Sequence, residues 1–127
     1  MKTVMTHGTF DVLHHGHIKF LKAARALGDR LIVSLTSDKT AVEYGKKNIN
    51  DFQSRKEVLE AVRFVDLVVE GNKVVRSEEA KEYGVDVFAT SEDYKDTDYS
   101  NFPCEVVLLK RTQGISSSDI KRKIREG

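Results

Sequence analysis

A chain of 127 residues with 39% apolar and 32% charged residues has the size and make-up of one ordinary globular domain, here taken as residues 1–127. Basic residues number 21 and acidic residues 20, so the formal charge of +1 lacks the cationic excess of a general nucleic-acid binder or a membrane-surface protein. The single cysteine, Cys104, excludes an internal disulfide, and no apolar run has the length of a signal peptide or a membrane span, which predicts a cytoplasmic protein.

Strand and helix patterns alternate along the chain. Val4 to Thr6 reads as a first buried strand that turns at Gly8. Ile18, Leu21, Ala24 and Leu27 recur at helical spacing, with Gly28 placed as the cap after the last turn. Arg30 to Leu35 is rich in branched residues and predicts a second strand. Residues 38–50 read as a loop with basic content. Val58, Leu59, Val62 and Val65 mark the next helix, with Asp51 or Ser54 at its N-cap. Leu67 to Val69 is a third strand, and a weak helix between about Val74 and Tyr83 closes at Gly84. Val85 to Ala89 and Glu105 to Leu109 supply strands four and five. Ile120 and Ile124 define a last helix, with N-cap candidates in Ser116, Ser117 and Ser118. The alternation predicts an α/β fold: a Rossmann-like, doubly wound parallel sheet of five strands in a three-layer α/β/α arrangement. Ligands bind such sheets beyond the carboxyl ends of the strands, where the winding reverses.

All four histidines, His7, His14, His15 and His17, fall within the first seventeen residues. His14 and His17 stand three apart around Gly16 at the entry to the first helix, so both rings can face one ligand over its N-terminus. The unpaired N–H groups and partial positive charge there favour a phosphate, and Gly16 allows close backbone approach. Ordinary polar loop histidines and a zinc site are the competing readings. The distance of Cys104 and the lack of a second ligand cluster weigh against zinc.

Gly8-Thr9-Phe10-Asp11 followed by His14-His15-Gly16-His17 resembles the signature of the HIGH-motif nucleotidyltransferases. Arg111-Thr112-Gln113-Gly114-Ile115-Ser116-Ser117-Ser118 is similar to a second motif of their cytidylyltransferase branch. Arg55-Lys56, Arg63 and Val65-Asp66 resemble the middle of the bacterial glycerol-3-phosphate cytidylyltransferases. The resemblance spans essentially the whole chain. It implies attack by a phosphate monoester, sn-glycerol 3-phosphate first among the candidates, on the α-phosphorus of CTP, giving CDP-glycerol for a cell-surface polymer and releasing pyrophosphate. An adenylyltransferase or a cytidylyltransferase for another sugar or polyol phosphate or FMN is the alternative, and a non-catalytic nucleotide-binding module a more distant one.

Such a reaction needs alignment and positive charge rather than a serine or cysteine nucleophile. The resemblance assigns catalysis to His14, His17, Lys46 and Arg111. It adds Thr9, Phe10, His15, Gly16, Asp93, Thr112, Gly114, Ile115, Ser116 and Ser117 to the nucleotide site. The acceptor side draws on Asp11, Tyr44, Arg55, Arg63, Lys73 and Arg76. Asp11 also suits ordering the turn, and Arg63 suits an ion pair with Asp66. The carboxylates of Ser91-Glu92-Asp93-Tyr94 suit the ribose or Mg²⁺ carried by CTP, or simply a solvated loop. No metal is expected bound to the protein directly, and a homodimer is expected. The chain departs from the glycerol-phosphate pattern at Tyr44, where a lysine is usual, and at Ser91–Tyr94, where Gly-Asp-Asp-Trp is usual.

Overall fold

Short, mostly apolar strands separated by helical segments set the sheet. The computed structural model describes residues 1–43, 45, 47–71 and 76–110, with Arg76 described in its backbone alone. In chain order the elements are β1 (Thr3–Gly8), α1 (His15–Arg25), β2 (Arg30–Thr36), α2 (Asp38–Glu43), α3 (Phe52–Glu60), β3 (Leu67–Gly71), α4 (Arg76–Glu82), β4 (Val87–Ser91) and β5 (Glu105–Leu109). Every strand pairing is parallel, and the order is β3-β2-β1-β4-β5.

Alternation along the strands builds two cores. Val4, Leu31, Val33, Leu35, Val87 and Ala89 pack with Leu21 and Ala24 of α1 and Leu59 of α3. The intervening Met5, Ile32 and Phe88 point the other way and pack with Ala80 of α4. The sheet is therefore covered on both faces, in three layers, and the winding reverses between β1 and β4. The turns after those two strands leave the same edge of the sheet.

Four details differ from the sequence reading. Residues 38–43 form a helix rather than a loop: the Ser37 hydroxyl accepts the Thr40 N–H at 3.1 Å and starts the turn. A helix of six residues is too short to display apolar periodicity, and its Val42 points outward. The second long helix stops at Glu60 instead of running to Val65. Val62 N–H bonds to Leu59 and Val65 N–H to Val62, so successive three-residue turns keep the apolar spacing without a helix. Arg63 consequently lies beyond the helix and is exposed. Asp66 pairs with Arg25 at 3.0 Å and accepts the Leu31 N–H at 2.7 Å, rather than pairing with Arg63. Gly28 is not the cap, which is Ala26; a Cβ at Gly28 would stand 2.7 Å from the Lys2 carbonyl oxygen, so a close pass against the start of β1 requires glycine. Gly84, at φ +62°, does close α4 in the left-handed conformation. The last helix read at 120–124 lies outside the described residues.

Candidate active site

β1 ends at Gly8, and the chain then turns through residues 9–14 into α1. His14 is the N-cap of that helix, in extended conformation. Its Nδ1 accepts the Gly16 N–H at 3.1 Å, and His17 Nδ1 accepts the His14 N–H at 3.3 Å. Two imidazoles thus form the reciprocal cap that Ser and Glu usually form. An Nδ1 that accepts fixes the neutral ring as the Nε2–H tautomer. Both neutral histidines therefore carry their proton on Nε2, and the His14 Nε2 is buried.

The two rings stack with centroids 3.9 Å apart and planes at 24°. Burial, and then the neighbouring His14, push the His17 pKa down to about 4. His17 is therefore a neutral donor at physiological pH. His15 faces outward, in edge contact with His14 at 6.3 Å. Phe10 holds φ at +45°, a strained value for a side-chain-bearing residue, and sets its ring edge-on to His17 at 5.2 Å. The same ring covers Gly8, where a Cβ would stand 2.6 Å from Phe10 Cε2. Glycine at position 8 is thus what lets Phe10 wall the histidine pair.

Behind this turn stands a brace. The Asp11 carboxylate is buried and accepts the Ile49 N–H at 2.7 Å and the Asn50 N–H at 2.8 Å. The Asn50 amide donates back to the Asp11 carbonyl at 2.7 Å. Arg55, on α3, is fully buried. It donates from Nε to Asn50 O at 3.2 Å, from Nη1 to Thr9 O at 2.9 Å and Thr36 O at 2.8 Å, and from Nη2 to Asp38 Oδ1 at 2.8 Å. Asp11 and Arg55 therefore hold the 9–11 turn to the 49–50 segment and to the end of β2.

After β4, the Ser91 hydroxyl accepts the Asp93 N–H at 3.2 Å and turns Glu92, Asp93 and Tyr94 outward, at the edge shared with the β1 turn. The structure therefore brings together Thr9, Phe10, His14, Gly16 and His17, with Asp93 at the neighbouring strand end. Arg63 is not part of this group. Tyr44, Lys46, Lys73, Arg111, Thr112, Gly114, Ile115, Ser116 and Ser117 lie outside the described residues, as does the side chain of Arg76.

The chain has counterparts among known proteins in both sequence and fold. The sequence model of the cytidylyltransferase-like family matches residues 5–123. The chain belongs to the cytidylyltransferase-like family. It is 42% identical to the glycerol-3-phosphate cytidylyltransferase of Staphylococcus aureus, over 98% of this chain and 96% of that protein. It is 41% identical to the enzyme of the same name from Bacillus subtilis, over 98% of each. Among solved structures, a lipopolysaccharide core biosynthesis protein of Thermoplasma volcanium superposes with a TM-score of 0.80 at 30% identity, covering 89% of this chain and 99% of that one.

Several parts of this cytidylyltransferase-like site are not evident from the sequence. Asp38 and Thr36 complete the socket of Arg55, and no local pattern marks either. The capping role of His14 and His17 had a signal, since N-cap and third-position residues stand three apart, but histidine is not a usual capping residue.

Proposed function

We propose that the chain transfers CMP from CTP to sn-glycerol 3-phosphate, giving CDP-glycerol and pyrophosphate. The carrying observation is the pair of Nε2–H donors fixed at the N-terminus of α1. A phosphate oxygen of the acceptor forms the new bond to the α-phosphorus, and the bond to the bridging oxygen of pyrophosphate breaks. The site supplies alignment and donors for the charge that builds on the triphosphate. Neutral His17 donates without giving up a proton, so the leaving pyrophosphate takes no proton from it. Mg²⁺ enters with CTP as part of the substrate. Lys46, Arg111 and the 112–117 segment are assigned to the triphosphate and nucleotide on the sequence resemblance, and Asp93 to the nucleotide at the β4 end. The protein works as one catalytic domain, as a homodimer, in the cytoplasm, and its product feeds a cell-surface polymer.

The reading is tested by pyrophosphate release with Mg–CTP and Mg–ATP in parallel, each offered glycerol 3-phosphate. CTP is expected to be the better donor, and equal or faster turnover with ATP would sink the cytidylyl assignment. The departures at Tyr44 and Ser91–Tyr94 favour a second reading, in which the acceptor is another polyol phosphate. Ribitol 5-phosphate, phosphocholine and phosphoethanolamine in the same assay separate the two.

A further inference from the structure

The α4 face of the sheet carries a buried polar chain that the reaction as described does not use. His7 Nδ1 lies 3.1 Å from Ser34 Oγ, and Ser34 donates to Glu79 Oε2 at 2.7 Å. Ser34 is fully buried and Glu79 is 5% exposed. Because the one serine proton goes to the carboxylate, Nδ1 must donate to Ser34, and the His7 ring is held by its inner nitrogen. Its other nitrogen, Nε2, lies 3.3 Å from Thr36 Oγ1. With Nδ1 protonated, Nε2 is an acceptor, so the one Thr36 hydroxyl proton is shared between Nε2 and the Gly8 carbonyl at 3.2 Å, while the Thr36 oxygen accepts from the Thr9 hydroxyl at 3.5 Å. The ring has little room to turn, since a Cβ on Gly71 would stand 2.9 Å from His7 Cε1 and 2.6 Å from Ser34 Oγ.

We propose that His7 is a positioning residue for the Gly8–Thr9 turn, acting through Thr36 from the face opposite α1. Arg55 fixes the Thr9 and Thr36 carbonyls on one side. His7 fixes the Thr36 hydroxyl on the other, with Ser34 and Glu79 as its anchor. The turn that leads to Phe10 and the histidine pair is thereby held from both faces of the sheet. This rests on reading residues 8–17 as the triphosphate site.

The test compares His7→Ala, His7→Asn and His7→Gln by kcat, by KM for Mg–CTP and by melting temperature, against a parent whose turnover is established first. An asparagine amide falls near the Nδ1 position and reaches Ser34; a glutamine amide falls near Nε2 and reaches Thr36. His7→Ala is expected to lower kcat about tenfold, with KM for Mg–CTP changed less than about twofold, as expected for a misplaced turn. Gln should restore more of kcat than Asn. Alanine and asparagine variants with parental kcat, or rescue that follows melting temperature instead of the Thr36 contact, would overturn the proposal. Ser34→Ala is a smaller change that serves if His7→Ala does not fold. It should lower kcat about threefold by loosening the ring, and an unchanged kcat counts against the role. A parent inactive with every acceptor would defeat the functional reading instead.

Discussion

Arg55 and the His14–His17 pair flank the same turn, and they use their donors in opposite ways. Arg55 is fully buried and spends its guanidinium on three backbone carbonyls and Asp38. The histidines accept backbone N–H groups at Nδ1, at 3.1 and 3.3 Å, which puts the proton of each neutral ring on Nε2. Arginine is the residue expected to grip phosphate, yet Arg55 is the brace of the turn, and the binding role proposed above falls to the weaker imidazole donors. Proximity of a cation to a phosphate site does not by itself identify a contact. The number of donors already satisfied by the protein does.

The sharpest way to break this contrast is Arg55→Ala. It removes the Arg55 donor from the Thr9, Thr36 and Asn50 carbonyls and from Asp38 Oδ1, while Asp38 Oδ2 keeps the Phe52 N–H at 3.0 Å. Asp38 is half exposed and stays solvated, so the loss comes from three carbonyls without their Arg55 donor and from the cavity left by a fully buried side chain. It is expected to be about 3–5 kcal/mol of folding free energy, read from urea unfolding. Arg55→Lys should recover little of it, because a single ammonium cannot span acceptors on three segments. A loss of turnover with parental unfolding would instead make Arg55 a substrate ligand.

The histidines should show the opposite pattern. His14→Asn keeps a cap oxygen for Gly16, and His17→Gln keeps the side chain that reaches back to the His14 N–H. Both remove the Nε2–H. Each is expected to lower kcat/KM by about 10²–10³, equivalent to about 3–4 kcal/mol of transition-state stabilisation, with the melting temperature close to parental. A variant that keeps its activity would mean that capping, and not donation, is the histidine's role.

Asp11→Asn sharpens the comparison from the brace side. One carboxylate oxygen for each of Ile49 and Asn50 becomes one oxygen and one amide, so an N–H donor meets another N–H. The expected cost is about 2 kcal/mol of stability. Turnover should fall only as far as the 9–11 turn loosens, and KM for glycerol 3-phosphate should stay within about threefold. A selective rise in that KM would place Asp11 at the acceptor.

The strands were legible because branched, apolar runs have few other uses in a chain of this composition, and the His-x-Gly-His spacing pointed to the site for a comparable reason: three residues across a helix start allow one joint target. What was not legible depends on long-range partners. An arginine on a half-exposed helix looks the same in sequence whether it is solvated or set into a socket built by Thr9, Thr36 and Asp38. Helix α2 has no signature in sequence because six residues carry no period, and the end of α3 is masked because Val62 and Val65 keep the helical spacing in tighter turns. Nor can spacing say which imidazole nitrogen faces the backbone, and that decides what the pair can do.

The smallest effect separates the histidines from the brace by pH. The folded protein holds the His17 pKa near about 4, below its ordinary 6.5, because burial and then His14 disfavour the charged ring. As pH falls below about 6.5 the unfolded chain takes up a proton that the fold refuses until about 4. The unfolded state then binds more protons, so stability is full above the upper value and declines across that window. Denaturation midpoints between about pH 7.5 and about pH 4.5 should show this slope in the parent and a shallower one in His17→Gln, whose side chain does not titrate. Carboxylates contribute to both proteins at the acid end, so the difference between the two curves is the measurement. Identical slopes would mean that His17 is as easily protonated folded as unfolded. Mg–CTP should reduce the parental slope, since phosphate oxygens near Nε2 favour the imidazolium and narrow the gap between the two states.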